Sequence, residues 1–237
     1  MAKKKSSAYV CNDCGADYTK WQGQCNEWNT LTEVRLGSTV SPASRRSSGF
    51  AGAADGAVSK LSEIALDEIP RITTGVKELD LVLGGGLVPG SCVLVGGEPG
   101  AGKSTLLLQI LCELAKNQKT LYVTGEESPQ QVAMRAKRLE LPTDQLQIMA
   151  ETSVETICAT AEQLQPKIMV VDSIQVMNLE DVTSAPGSVS QVRESAAMLI
   201  RYAKQTNTVL LLVGHVTKDG SLAGPKVLEH MIDCSLM

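Results

Sequence analysis

The chain has 237 residues, enough for one full core and a small extra module. Hydrophobic residues make up 43% and aromatics only 3%, so the interior must be aliphatic, and no apolar run reaches the length of a membrane span. Net charge is −4, divided as +3 over residues 1–60 and −7 over residues 61–237, so a nucleic-acid-binding face would have to be a local patch or one made by assembling subunits.

The N-terminus, Met-Ala-Lys-Lys-Lys-Ser-Ser, has no apolar stretch after it and is not a secretory signal, which predicts a cytoplasmic protein. The seven cysteines then argue for thiols or metal rather than disulfides. Residues 1–34 read as a small zinc-ribbon-like arm holding Cys11, Cys14, Cys25, Trp21 and Trp28. Cys11-x-x-Cys14 with Cys25 supplies three thiolates, whereas structural zinc takes four ligands. Both histidines lie far along the chain, so Asp13, Asp17, Glu27 or water would complete a weaker Zn²⁺ shell. A metal-free arm is the alternative. Residues 35–60, rich in Gly, Ser and Ala, bury little apolar surface and read as a flexible linker.

From residue 61 to 237 apolar runs alternate with helical patterns. A strand at 92–96 leads into Gly97, Glu98, Pro99, Gly100, Ala101, Gly102, Lys103, Ser104 and Thr105. This is G-x-x-x-x-G-K-[ST] between a strand and a helix predicted at 103–116, the setting that a nucleotide-phosphate loop requires. The glycines let backbone N–H groups turn toward phosphate oxygens, and the helix N-terminus adds its positive end. Lys103, expected as an exposed loop lysine, reaches the β- and γ-phosphates of ATP, and the Ser104 hydroxyl ligates Mg²⁺.

A strand at 120–124 ends in Gly125-Glu126-Glu127-Ser128, before a helix at 129–139. ATP hydrolysis needs a carboxylate to orient and deprotonate water. Glu126 is the first candidate and Glu127 the second; an acidic helix N-terminus favoured by the dipole accounts for one of the two on the plainer reading. A strand at 146–149 and a helix at 154–164 follow. The next strand, 168–172, ends in Asp172, a candidate to hold Mg²⁺, and is expected beside the strand that carries the phosphate loop.

The loop 181–190 precedes a helix at 190–205, and a strand at 208–214 ends in His215, either a structural histidine or a γ-phosphate sensor. A second polar loop, 217–226, carries Lys218 and Lys226, cations that can meet a phosphate backbone. The final Ile232-Asp233-Cys234-Ser235-Leu236-Met237 reads as a strand cut short, the mark of a C-terminally incomplete core. The fold class expected is α/β: a RecA-like P-loop ATPase core with a mainly parallel sheet covered on both faces.

These residues resemble the RecA-type ATPases and, more narrowly, the RadA (Sms) family of bacterial DNA repair proteins. The resemblance rests on Val10-Cys11 with Cys14-Gly15, Trp21 to Cys25, Trp28-Asn29-Thr30, Thr74-Gly75, Glu78-Leu79-Asp80, Leu83 to Gly86, Gly125 to Ser128, Pro186 to Val189 and Gly214 to Gly220. It implies a DNA-dependent ATPase of repair and homologous recombination. Such a protein binds single-stranded DNA, forms a homo-hexamer and drives branch migration of recombination intermediates beside recombinase or replication proteins. It also implies that the loops containing Ser188, Lys218 and Lys226 line a DNA channel. Two departures stand out. The family's fourth cysteine is missing, because Cys25 is followed only by Asn26 and Glu27 before Trp28. The family's Lon-protease-like domain is also absent from these 237 residues. Two other readings share the motifs: a signalling ATPase or autokinase of the KaiC type, and a truncated nucleotide-binding fragment with weak turnover.

Overall fold

The computed structural model describes residues 8–11, 17–18, 34–37, 60, 70–215 and 228–237. The chain divides into two compact units, Met1–Ser48 and Gly49–Met237. In the first, β1 (Ala8–Cys11) lies between β2 (Asp17–Tyr18) and β3 (Val34–Gly37), antiparallel to both. The register sets Tyr9 opposite Tyr18 and Leu36. The backbone of β3 continues to Gly37, into the stretch read as linker. Cys11 ends β1; Cys14 and Cys25 lie outside the described residues.

The second unit is built on six parallel strands. They are β4 (Cys92–Val95), β5 (Thr120–Thr124), β6 (Gln147–Ala150), β7 (Ile168–Asp172), β8 (Val209–Val213) and β9 (Cys234–Leu236). Their order across the sheet is β6-β5-β7-β8-β4-β9. Every neighbouring pair is parallel. The connecting helices are α1 (Lys77–Val82), before β4, and then α2 (Lys103–Ala115), α3 (Pro129–Arg138), α4 (Val154–Leu164) and α5 (Val189–Thr206).

Parallel strands must be covered on both faces, and their continuous apolar runs satisfy both. Val93, Val95, Tyr122, Ile168, Val170, Leu211 and Val213 point to one side and pack with α2 and α3. Cys92, Leu94, Leu121, Val123, Met169, Val171, Leu210 and Leu212 point to the other and pack with α4 and α5. Alternation along β7 puts Asp172 on the α2–α3 side, next after Ile168 and Val170. The side chains filling both layers are chiefly aliphatic, as the 3% aromatic content requires.

The expected spans at 120–124, 154–164 and 168–172 coincide with β5, α4 and β7, and the other expected elements agree within a residue at each end. One expectation is overturned. The strand ending in Asp172 does not lie beside the phosphate-loop strand; β8 sits between β7 and β4. The long helix α5 supplies the crossover that carries the chain from β7 to the slot next to β4. The helix α1 carried no sequence signal strong enough to be placed. It is short, its N-cap Val76 makes no side-chain cap, and none of its residues is buried.

Candidate functional site

Ligands of open parallel sheets bind at the C-terminal ends of the strands, and four strand ends converge here. The end of β4 feeds the glycine loop. Gly97, Gly100 and Gly102 have φ of 142°, 83° and 88°, a region that a side chain disfavours. A Cβ on Gly100 or Gly102 would meet no protein atom within 4 Å, so backbone conformation, not crowding, demands glycine there. Gly102 is the N-cap of α2, and Lys103 is its first residue.

Lys103 departs from the expected exposed loop lysine: it is only 7% exposed. Its stem lies along Gly97, and its Nζ donates to the carbonyls of Gly97 and Glu98, each at 2.8 Å. Those two bonds satisfy an otherwise costly buried ammonium. Glu98, Pro99, Gly100 and Ala101 are exposed, while Ser104 and Thr105 are half-buried in the first turn of α2. On the α1 side of the loop lies a mainly apolar cleft of about 460 Å³, lined among others by Val76, Leu79, Val95, Leu107 and Leu236.

The end of β7 supplies Asp172, which is buried at 6% exposure and accepts a 2.5 Å hydrogen bond from the Tyr122 hydroxyl. The end of β5 supplies Gly125, Glu126 and Glu127, and the two glutamates differ. Glu126 accepts from the Ser173 hydroxyl and lies 3.2 Å from His215 Nε2. Glu127 is ion-paired to Arg135 on α3. Its backbone is fixed as well, with its N–H donating to Thr124 Oγ1 and its carbonyl accepting from the same hydroxyl. Glu126 is therefore the carboxylate grouped with Ser173 and His215, and Glu127 ties the strand end to α3.

Two local features hold this corner. Ser128 caps α3 in a reciprocal box with Gln131, and Pro129 occupies the first turn. Gly125 is required for space: a Cβ there would sit 2.5 Å from Val176 Cγ2 and 2.8 Å from Met177 Cε. The end of β8 supplies His215, whose Nδ1 is buried with no hydrogen-bond partner among the described residues and whose carbonyl accepts from Gln175 Nε2 at 3.4 Å.

Ser188 is the N-cap of α5, and its hydroxyl accepts from the Gln191 N–H at 3.3 Å. Lys218 and Lys226 lie outside the described residues. Sequence reading missed Gln191. Only 3% exposed, it accepts from the Leu179 N–H and donates to the carbonyls of Val182 and Ser184 at 2.8 and 3.0 Å, which pins the loop before α5. A polar residue in the buried stripe of α5 was the signal available for it. Arg71 was missed too; its guanidinium donates to the Leu83 carbonyl at 2.8 Å, just past α1.

The donor chemistry sorts the metals. Ser104 and Asp172 offer hard oxygens of the kind Mg²⁺ takes. Among the described residues no group of three or more His, Cys, Asp and Glu gathers, and Cys14 and Cys25 lie outside them. Cys92, Cys112, Cys158 and Cys234 are free thiols. Burial first, then neighbouring glutamates, pushes Cys112 up to about 11 and Cys158 up to about 12, so neither offers a thiolate near neutral pH.

A six-stranded parallel α/β sheet with a glycine loop opening its second helix defines the class of RecA-like P-loop proteins. The chain belongs to the AAA domain family, whose sequence model matches residues 62–221. It is 64% identical over 240 residues to the DNA repair protein RadA of Haemophilus influenzae, covering 100% of this chain and 52% of that protein. The RadA of Escherichia coli K12 is 64% identical over 242 residues, with 100% and 53% covered. The RadA of Bacillus subtilis is 45% identical over 242 residues, with 100% and 52% covered. The chain thus spans about half the length of the curated relatives it matches. No helix among the described residues is long and apolar enough to cross a membrane.

Proposed function

We propose that this chain is the ATP-hydrolysing core of a DNA repair protein that works on single-stranded DNA and recombination intermediates. The observation that supports the reading most is the meeting of a left-handed glycine loop, a buried Lys103, a buried Asp172 and the Glu126–His215 pair at one sheet edge. On this reading residues 97–105 cradle the triphosphate. Lys103 leaves its two carbonyls to meet phosphate oxygens, and the apolar cleft beside the loop takes the heterocyclic base. Ser104 and Asp172 hold Mg²⁺, which when bound neutralises the charge on the phosphates. Glu126 accepts the proton of the attacking water. His215 senses the γ-phosphate and passes its state into the residues that follow β8.

The wider role rests on the resemblance read in the sequence motifs, with the relatives, named for DNA repair, supporting the repair part of it. It comprises branch migration, homo-hexamer assembly, a cytoplasmic location and work beside recombinase or replication proteins in the response to DNA damage. Ser188, Lys218 and Lys226 are assigned to DNA contact on the same basis. Zinc at Cys11, Cys14 and Cys25 is a reading of sequence alone, and three thiolates hold it more weakly than four.

The test is ATP hydrolysis by this chain with and without single-stranded DNA, beside Lys103→Ala. Turnover is expected to rise with DNA and to fall by at least about 100-fold in the variant, in the range seen when charge stabilisation is removed. Loss of the two Lys103 hydrogen bonds is expected to cost about 1–2 kcal/mol of stability, read by urea unfolding. Turnover indifferent to DNA favours the signalling reading. Turnover unchanged in Lys103→Ala removes the nucleotide assignment altogether.

A further inference from the structure

The least explained side chain near the site is Tyr122. It lies in the middle of β5, is fully buried, and is the only aromatic residue among the described residues of the aliphatic layer between the sheet and α2–α3. A Leu or Val would fill such a position without bringing a hydroxyl into the core. A buried phenol needs a partner, and a buried carboxylate needs one more urgently. Each supplies the other's need: the Tyr122 hydroxyl donates to Asp172 Oδ2 at 2.5 Å.

The register explains how they meet. Tyr122 is opposite Val170 in the β5–β7 pair, and Asp172 lies two residues further toward the C-terminal edge on the same face. Two residues of parallel strand span about 6.6 Å, a distance comparable to the reach of a tyrosine ring and its oxygen. The ring therefore lies along the sheet surface and delivers its O–H to the strand end. An ionised carboxylate can only accept, so the phenol is the donor in this bond. The bond occupies one carboxylate oxygen, and it fixes the rotation of the group.

We propose that Tyr122 is a positioning residue, which holds the Asp172 carboxylate at the angle that Mg²⁺–nucleotide requires by occupying Oδ2. The proposal rests on the ATP-binding reading above. Outer partners of this kind orient ligands, and their loss commonly lowers metal affinity 10- to 100-fold. Tyr122 touches neither nucleotide nor metal. Its effect must therefore show in the Mg²⁺ dependence and not in the affinity for nucleotide alone.

The experiment uses the whole 237-residue chain and a fluorescent ATP analogue, titrated with Mg²⁺ and, separately, in excess chelator. Wild type, Tyr122→Phe and Asp172→Asn are compared, with thermal melting of each as the control for fold. Phe keeps the ring and its packing. In Tyr122→Phe the Mg²⁺ concentration that half-saturates tight nucleotide binding is expected to rise about 10-fold, with affinity in chelator unchanged. A tenfold excess of Mg²⁺ should restore wild-type binding, which a merely loosened core would not allow. If Asp172→Asn shifts the Mg²⁺ midpoint and Tyr122→Phe does not, the positioning role is overturned while the nucleotide reading stands. If Asp172→Asn shifts nothing, Asp172 does not serve Mg²⁺, and its metal role falls together with the positioning role. A Tyr122→Phe protein too unstable to assay is replaced by Tyr122→Leu at lower temperature, judged by the same midpoint.

Discussion

Glu126 and Glu127 are adjacent in sequence, and the chemistry of either suits a general base. Their surroundings part them. Arg135 holds Glu127 against α3 in a pair that is 17% exposed on the arginine side and 32% on the glutamate side. Glu126 lies with Ser173 and His215 at the strand ends. We predict that Glu126→Gln slows hydrolysis by about 10²–10⁴-fold, the usual weight of a general base, with nucleotide binding retained. Glu127→Gln should instead leave turnover within a few fold and lower stability by about 1–3 kcal/mol, because Arg135 loses a charged partner. Steady-state rates and urea unfolding on the two single variants decide it; a matching collapse of turnover in both would mean that Glu127 also reaches the water. The sequence ranked Glu126 ahead of Glu127 and left a structural role open for one of the two; it could not supply the partner, since Arg135 is eight positions away and an ordinary helix residue by pattern.

Among the elements, those that sequence displayed best were the ones whose apolar runs are long and whose boundaries carry turn chemistry. β5, β7 and α4 have both, and α4 starts at Ser153, which caps it by accepting from the Thr156 N–H at 3.3 Å. The order of strands was not legible. Pairing depends on which crossover carries which strand over the sheet, and nothing within β7 or β8 records that β8 takes the place between β7 and β4. The Tyr122–Asp172 bond was hidden for the same reason, because it crosses two strands whose register is a tertiary fact. The start of α5 mixes two kinds of work. Ser188, read as a DNA contact, also caps the helix with its hydroxyl. Ser188→Ala is predicted to cost about 1 kcal/mol of stability through the lost cap. Gln191→Leu should free the loop it pins, so that the Leu179 amide exchanges its hydrogen faster by an order of magnitude or more, by about the worth of a hydrogen bond. Exchange unchanged at Leu179 would show that the loop is held by something other than Gln191.

At the scale of the whole molecule, the sheet order has a consequence for how the protein is made. The loop-bearing strand β4 comes first of the six in sequence, yet its two neighbours, β8 and β9, come last. As the chain leaves the ribosome, β5, β6 and β7 can pair among themselves while β4 has no partner strand. It waits on the order of ten seconds, at ordinary synthesis rates, until β8 emerges. During that wait the glycine loop has no scaffold, so ATP cannot act as an early template for folding. Nascent chains arrested with only the residues through α5 exposed are predicted not to be retained on immobilised ATP, whereas chains exposed through residue 237 are retained. Retention of the shorter chains would mean that the loop forms without β8. The strand that carries the most telling motif in the sequence is, by this arrangement, among the last of the six to be held in place.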